Sequence, residues 1–129
     1  MELFDILTYD YAIVENVDVS EIEPDWQDLC SLVTPMRSPG TYKLTFSLQF
    51  HINSTSQEFL YRFSLDGGGN WGPTYAKKVK GRDNMEMIEV LDIIELTASD
   101  TVNLKCQVSK TSSVDCTITK ALISCERKK

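Results

Sequence analysis

The sequence predicts an all-β protein, a single antiparallel β-sandwich, and three observations carry that expectation. Residues 41–53 alternate without a break: Tyr42, Leu44, Phe46, Leu48, Phe50 and Ile52 stand against Thr41, Lys43, Thr45, Ser47, Gln49, His51 and Asn53. Residues 58–66 repeat the pattern, with Phe59, Tyr61, Phe63 and Leu65 set against Leu60, Arg62 and Ser64. Further alternating segments follow, separated by turn-forming residues. Successive side chains of a strand point to opposite faces, so each segment reads as a strand with one buried face.

Element by element, the chain divides as follows. Leu3 to Val14, with Tyr9, Tyr11 and Ile13, supplies a first strand. Residues 24–33 read as a turn leading into a strand or a short helix, and Pro35, Pro39 and Gly40 set a tight turn into the long strand. Asn53-Ser54-Thr55-Ser56-Gln57 is turn-rich, so the strands on either side are expected to pair as an antiparallel hairpin. Asn53-Ser54-Thr55 also fits a glycosylation sequon and is read as turn chemistry. Met85 to Leu96 alternates as a strand yet has the length of three helical turns; the β-rich surroundings favour strand. Residues 101–108 put Val102, Leu104, Cys106 and Val108 on one face. Residues 114–125 begin with Val114, Cys116 and Ile118 inward, then change phase to Ala121, Ile123 and Cys125, which predicts a β-bulge near Thr119–Lys120. The polar run 109–113 between these last two strands reads as a second hairpin turn.

Composition fits one globular domain over 1–129: 42% of residues are hydrophobic and 25% charged. The net charge is −6, which argues against nucleic acid as a partner. Apolar runs are too short to cross a membrane. Met1-Glu2-Leu3-Phe4-Asp5 carries acids where an export leader needs basic and then apolar residues, so no leader is expected. Charge is unevenly placed. Residues 1–36 hold nine acids and no Lys or Arg, whereas the rest of the chain is net positive by three. Residues 1–25 are therefore expected to form an acidic strand or arm. Its acids Asp18, Glu21, Glu23 and Asp25 either make a solvated face or dock on basic residues, for which Lys77, Lys78, Lys80 and Arg82 are the candidates.

No metal site is expected, because Cys30, Cys106, Cys116 and Cys125 form no C-x-x-C pair and the one histidine, His51, falls on a polar strand face. The thiols are expected to be free, with Cys106–Cys116 as the alternative bridge. No G-x-S-x-G, H-E-x-x-H or P-loop occurs. A paired-carboxylate hydrolase stays compatible with the many acids, but nearly half of these lie in the N-terminal region, and the chain is read as a non-enzyme without cofactor.

Ser64-Leu65-Asp66-Gly67-Gly68-Gly69-Asn70-Trp71 fits S-x-D-x-G-x-x-W and resembles the Asp-box of sialidases, with Asn70 where that pattern usually has Thr. The reading is a structural turn: Asp66 accepts from loop amides beside Ser64, Gly68 allows positive φ, and Trp71 packs under the turn.

A second resemblance covers roughly residues 26–126. Trp26-Gln27-Asp28-Leu29-Cys30-Ser31-Leu32, Ser38-Pro39-Gly40-Thr41-Tyr42-Lys43-Leu44, Arg62-Phe63-Ser64-Leu65-Asp66-Gly67-Gly68 and Asp100-Thr101-Val102-Asn103-Leu104 follow in an order similar to small jelly-roll domains. Two groups share it: complement-component and tumour-necrosis-factor-like trimers, and virion proteins of tailed bacteriophages, including capsid decoration (cement) proteins. Without a leader or anchor, the chain resembles the phage group more. That resemblance implies a jelly-roll-like sandwich, a homotrimer on the capsid surface of the virion, made in the host cytoplasm, whose partner is the major capsid protein. The alternative is a receptor- or carbohydrate-binding domain of a phage tail fibre or spike, using Trp71 and Tyr75.

Overall fold

A computed structural model describes residues 8–78 and 85–128. Its elements are eight strands: β1 (Tyr9–Asp18), β2 (Gln27–Val33), β3 (Gly40–Ile52), β4 (Phe59–Ser64), β5 (Tyr75–Lys77), β6 (Glu86–Leu96), β7 (Asn103–Lys110) and β8 (Cys116–Arg127). They form two four-stranded antiparallel sheets, ordered β1-β8-β3-β6 and β2-β7-β4-β5. This order is that of the eight-stranded jelly roll, two Greek keys wrapped into a sandwich. The segment at 27–33 is strand rather than helix, and 86–96 is strand throughout.

The two expected hairpins do not form. β3 bonds to β6 and β8, and β4 bonds to β5 and β7, so the strands flanking 53–58 belong to opposite sheets. The same is true of β7 and β8. A polar turn between two strands serves a hairpin and a sandwich corner equally well. Stacking decides between them. Crossing over lets two buried aromatic faces meet: Phe46 stacks on Phe63 at 4.1 Å between ring centroids, and Phe50 on Phe59 at 4.3 Å.

The alternation of β3 sets the core. Tyr42, Leu44, Phe46, Leu48, Phe50 and Ile52 are all buried, facing Phe59, Tyr61, Phe63, Leu104, Cys106 and Val108 of the second sheet. Leu65 departs from expectation and is 41% exposed. The cause is that β4 ends at Ser64, where the chain leaves the sheet for the following turn. The bulge in β8 is present. Gln49 faces Lys120 and Phe50 faces Ile118, so Thr119 is the extra residue, and its hydroxyl donates to the Gln49 carbonyl at 3.1 Å. Register slips by one there, which is why the inward phase changes from Ile118 to Ala121.

All four cysteines are free thiols, and the alternative Cys106–Cys116 bridge is ruled out by distance. Cys106 lies beside Phe63, which stacks on Phe46; Cys116 pairs with Ile52, six residues further along β3, roughly 20 Å away. The thiol opposite Cys106 is Cys30, its cross-strand partner. Directly opposed Cα atoms sit about 4.5–5.5 Å apart, within disulfide range.

Two outcomes follow from this packing. Phe46→Ala removes one ring of a buried stack and should cost about 3–5 kcal/mol in chemical denaturation. Four thiols should titrate in denaturant, while in the folded state at pH 8 Cys116 and Cys125 should react slowly, because burial pushes them up to about 12 and about 11. Oxidised glutathione should join Cys30 to Cys106, seen as one cross-linked peptide pair; a Cys106–Cys116 peptide pair would contradict the register.

Candidate functional site

The turn after β4 is built from its own side chains. The Asp66 carboxylate accepts from the Ser64 hydroxyl, the Asn70 amide and the Asn70 side chain, each at 2.8 Å. Ser64 Oγ in turn accepts from the Gly68 amide at 2.8 Å. These bonds, led by the Asn70 amide, hold the Asp66 carboxyl down to about 2. Gly67 and Gly68 adopt φ of 75° and 98°, in the left-handed region. At Gly67 a Cβ would also meet the Asn103 amide nitrogen at 2.5 Å.

Trp71 lies against Gly68 and fastens the turn to the second sheet. The Arg62 guanidinium sits between two indoles, 4.3 Å from the Trp26 ring centroid and 4.5 Å from that of Trp71. It donates twice to Gln107 Oε1, and Gln107 Nε2 donates to Asp28. Ser64, Asp66, Gly68 and Trp71 thus come together as one hydrogen-bonded unit. The Trp26–Arg62–Trp71 ladder was not legible beforehand, since Trp26 and Trp71 are far apart in sequence and meet only through the β2-β7-β4 order.

The acids and bases singled out by charge are distributed differently. Asp18 closes β1 and accepts from the Thr117 hydroxyl at 3.1 Å. Glu21, Glu23 and Asp25 lie on the β1–β2 connection, which is tied to β7 by its backbone: the Glu23 amide donates to the Lys110 carbonyl, and Ser109 Oγ donates to the Asp25 carbonyl. Their carboxylates have no ion-pair partner among the described residues. Lys77 ends β5, and Lys78 follows it; Lys80 and Arg82 lie outside the described residues. Ile22, Lys110, Phe59 and Lys77 form one row across the sheet, which places Lys77 roughly 15 Å from the acidic connection. Lys77 thus shares an end of the sandwich with the acidic connection and does not touch it. From Tyr9 onward the acidic segment is an integral strand. Its Asp10 makes a two-pronged ion pair with Arg37 at 2.7 and 3.0 Å.

The outer face of the β1-β8-β3-β6 sheet is the largest feature that the sequence left unread. Tyr9, Tyr11 and Ile13 of β1 and Met87, Leu91 and Ile93 of β6 all stand exposed on it, with Met87 66% and Ile93 63% accessible. Leu122 joins the β1 group opposite Ile13, while Lys43, Thr45 and Ser47 fill the middle. Both edge strands are apolar on both faces, so alternation alone gives no sign of which side is covered. Among the described residues no His, Cys, Asp or Glu cluster could hold a metal, and no helix could cross a membrane.

No protein-family model matches the sequence, and no curated protein matches it. The fold has solved counterparts. A mutant VP2 protein of infectious bursal disease virus in derived T=1 particles superposes with a TM-score of 0.64 at 11% identity, over 92% of this chain and 32% of that one. The infectious bursal disease virus Gt strain gives 0.60 at 12% identity, over 91% and 33%. Eiger TNF from S. frugiperda gives 0.54 at 10% identity, over 95% and 93%. The chain therefore spans about a third of the viral proteins it matches and nearly all of the TNF. These likenesses establish the jelly-roll sandwich; the tumour-necrosis-factor-like group shares it, and the viral counterparts are infectious bursal disease virus proteins rather than tailed-phage decoration proteins.

The turn is expected to be structural. Asp66→Ala should lower the melting temperature at neutral pH, and the wild-type advantage should shrink as pH falls. The folded carboxyl titrates at about 2, below its unfolded value of 3.8, so its contribution is full above the unfolded value and vanishes on acidification towards 2. Side-chain carboxyl NMR of the folded protein checks the titration directly.

Proposed function

We propose that this chain is a virion structural protein, a capsid decoration protein of a tailed phage that binds the outer capsid surface as a homotrimer. The observation that carries the reading is the apolar outer face of the β1-β8-β3-β6 sheet, on a jelly roll whose solved counterparts include a protein of virus-derived particles. Tyr9, Tyr11 and Ile13 on one edge and Leu91 and Ile93 on the other make two exposed apolar flanks, with Lys43, Thr45 and Ser47 between them, and each flank groups several large apolar side chains rather than exposing one. Its two flanks lie on opposite edge strands, so a second copy meets one flank with the other, a head-to-tail contact that closes into a ring. The acidic β1–β2 connection, whose Glu21, Glu23 and Asp25 have no ion-pair partner among the described residues, then contacts the major capsid protein. Decoration needs no catalysis: binding only the assembled shell stabilises it by mass action, and repeated weak contacts add up.

Light scattering should give the mass of a trimer. Ile93→Glu should shift it to monomer without changing the melting curve of the isolated domain by more than about 1 kcal/mol, since the side chain is exposed. Glu21→Lys with Glu23→Lys should leave the trimer intact and reduce occupancy on purified expanded capsids. Wild-type occupancy should also fall as salt rises, because exposed ion pairs are screened over about 8–10 Å. A monomeric wild type, or occupancy indifferent to both charge and salt, would overturn the reading.

A further inference from the structure

The inward positions of β6 read Glu86, Ile88, Val90, Asp92, Ile94 and Leu96, so beyond the acid that opens the strand Asp92 interrupts an apolar run. It pairs with Leu44 and faces the space between the sheets rather than the outer face where Leu91 and Ile93 stand. On the opposite sheet β5 has only three residues, too short to close the edge beside it. An open cleft of about 330 Å³ results. Phe46 and Phe63 form its floor, Trp71 and Tyr75 its aromatic sides, and Asp66 and Asp92 its two carboxylates. Among the described residues no Lys, Arg or His lines it. One oxygen of Asp92 accepts from the Ile93 amide at 2.8 Å; among the described residues no donor reaches the other.

We propose that this cleft is a binding site for an arginine side chain presented by a protein partner. An aromatic-walled slot takes the apolar stem and the flat face of a guanidinium, and a carboxylate accepts its N–H groups in parallel. The protein already uses this chemistry once on itself, where Arg62 lies between Trp26 and Trp71 and donates to Gln107. The volume sits at the small end of the roughly 300–1,000 Å³ range of ligand sites, suited to a single long side chain. A neutral sugar fits less well, because Asp92 keeps one oxygen without a donor and no cation among the described lining residues balances it. The site lies between the sheets and is separate from the outer face proposed for self-association.

The test uses the ¹⁵N-labelled full chain and Nα-acetyl-arginine amide as the probe. Saturable shifts are expected at the amides of 65–75 and 90–93, with the neutral isostere Nα-acetyl-citrulline amide binding about tenfold more weakly. Asp92→Asn should weaken the arginine probe by a similar factor while leaving the remaining amide spectrum in place, and Tyr75→Leu should weaken both probes together. Equal binding of arginine and citrulline probes would overturn the proposal. So would silence of these amides towards both, which would leave Asp92 as a guard against strand addition at the sheet edge. Shifts with N-acetylglucosamine in place of arginine would overturn it in favour of a carbohydrate site.

Discussion

The stacking of Phe46 on Phe63 and of Phe50 on Phe59 is the contact on which the rest of the molecule depends. β3 carries six inward side chains in strict alternation and is hydrogen-bonded on both sides, to β6 and to β8. With both of its edges occupied, β3 has no place for β4 in its own sheet. The only way to bury the aromatic face of β4 is to lay it across the gap, ring on ring. Once that crossing is made, β4 recruits β7, β7 recruits β2, and the wrapped topology follows. The connection 53–58 is the same length either way, so the burial of roughly 150–250 Å² per ring decides the arrangement.

Much of this was legible in the residues, and the part that was not has a common cause. A period of two reports which side chains face inward, so the core positions of β3, the inward face of β7 and the phase slip at Thr119 could be read directly. It carries no information about which strand is next door. Both expected hairpins failed for that reason, and so did the pairing of Cys106 with Cys116. Leu65 was misplaced because the pattern continued one step past the strand, into a turn whose hydrogen bonds take over at Ser64. The Ser64–Trp71 turn was readable because its bonds are local. The Arg62 ladder and the Asp10–Arg37 pair were not, because their partners come together only through the sheet order.

The charge asymmetry of the sequence resolves into three different situations. Asp10 is neutralised within the molecule by Arg37. Asp18 is absorbed into the β1–β8 pairing through Thr117. Glu21, Glu23 and Asp25 keep their carboxylates for solvent or a partner while their backbone is pinned to β7. Net charge along a sequence therefore does not say which acids are paired, since Asp10 is matched by Arg37 while those on the connection have no ion-pair partner among the described residues.

The antiparallel pairing of the first strand with the last brings Tyr9 opposite Glu126. The start of β1 and the end of β8 consequently lie side by side at one corner of the sandwich. The acidic connection begins at the far end of β1, nine residues away, or roughly 30 Å. The molecule is thus polarised lengthwise: its first and last strands meet at one pole, and the carboxylates of the β1–β2 connection stand at the other, so a partner docked on that connection approaches from the pole opposite the β1–β8 junction.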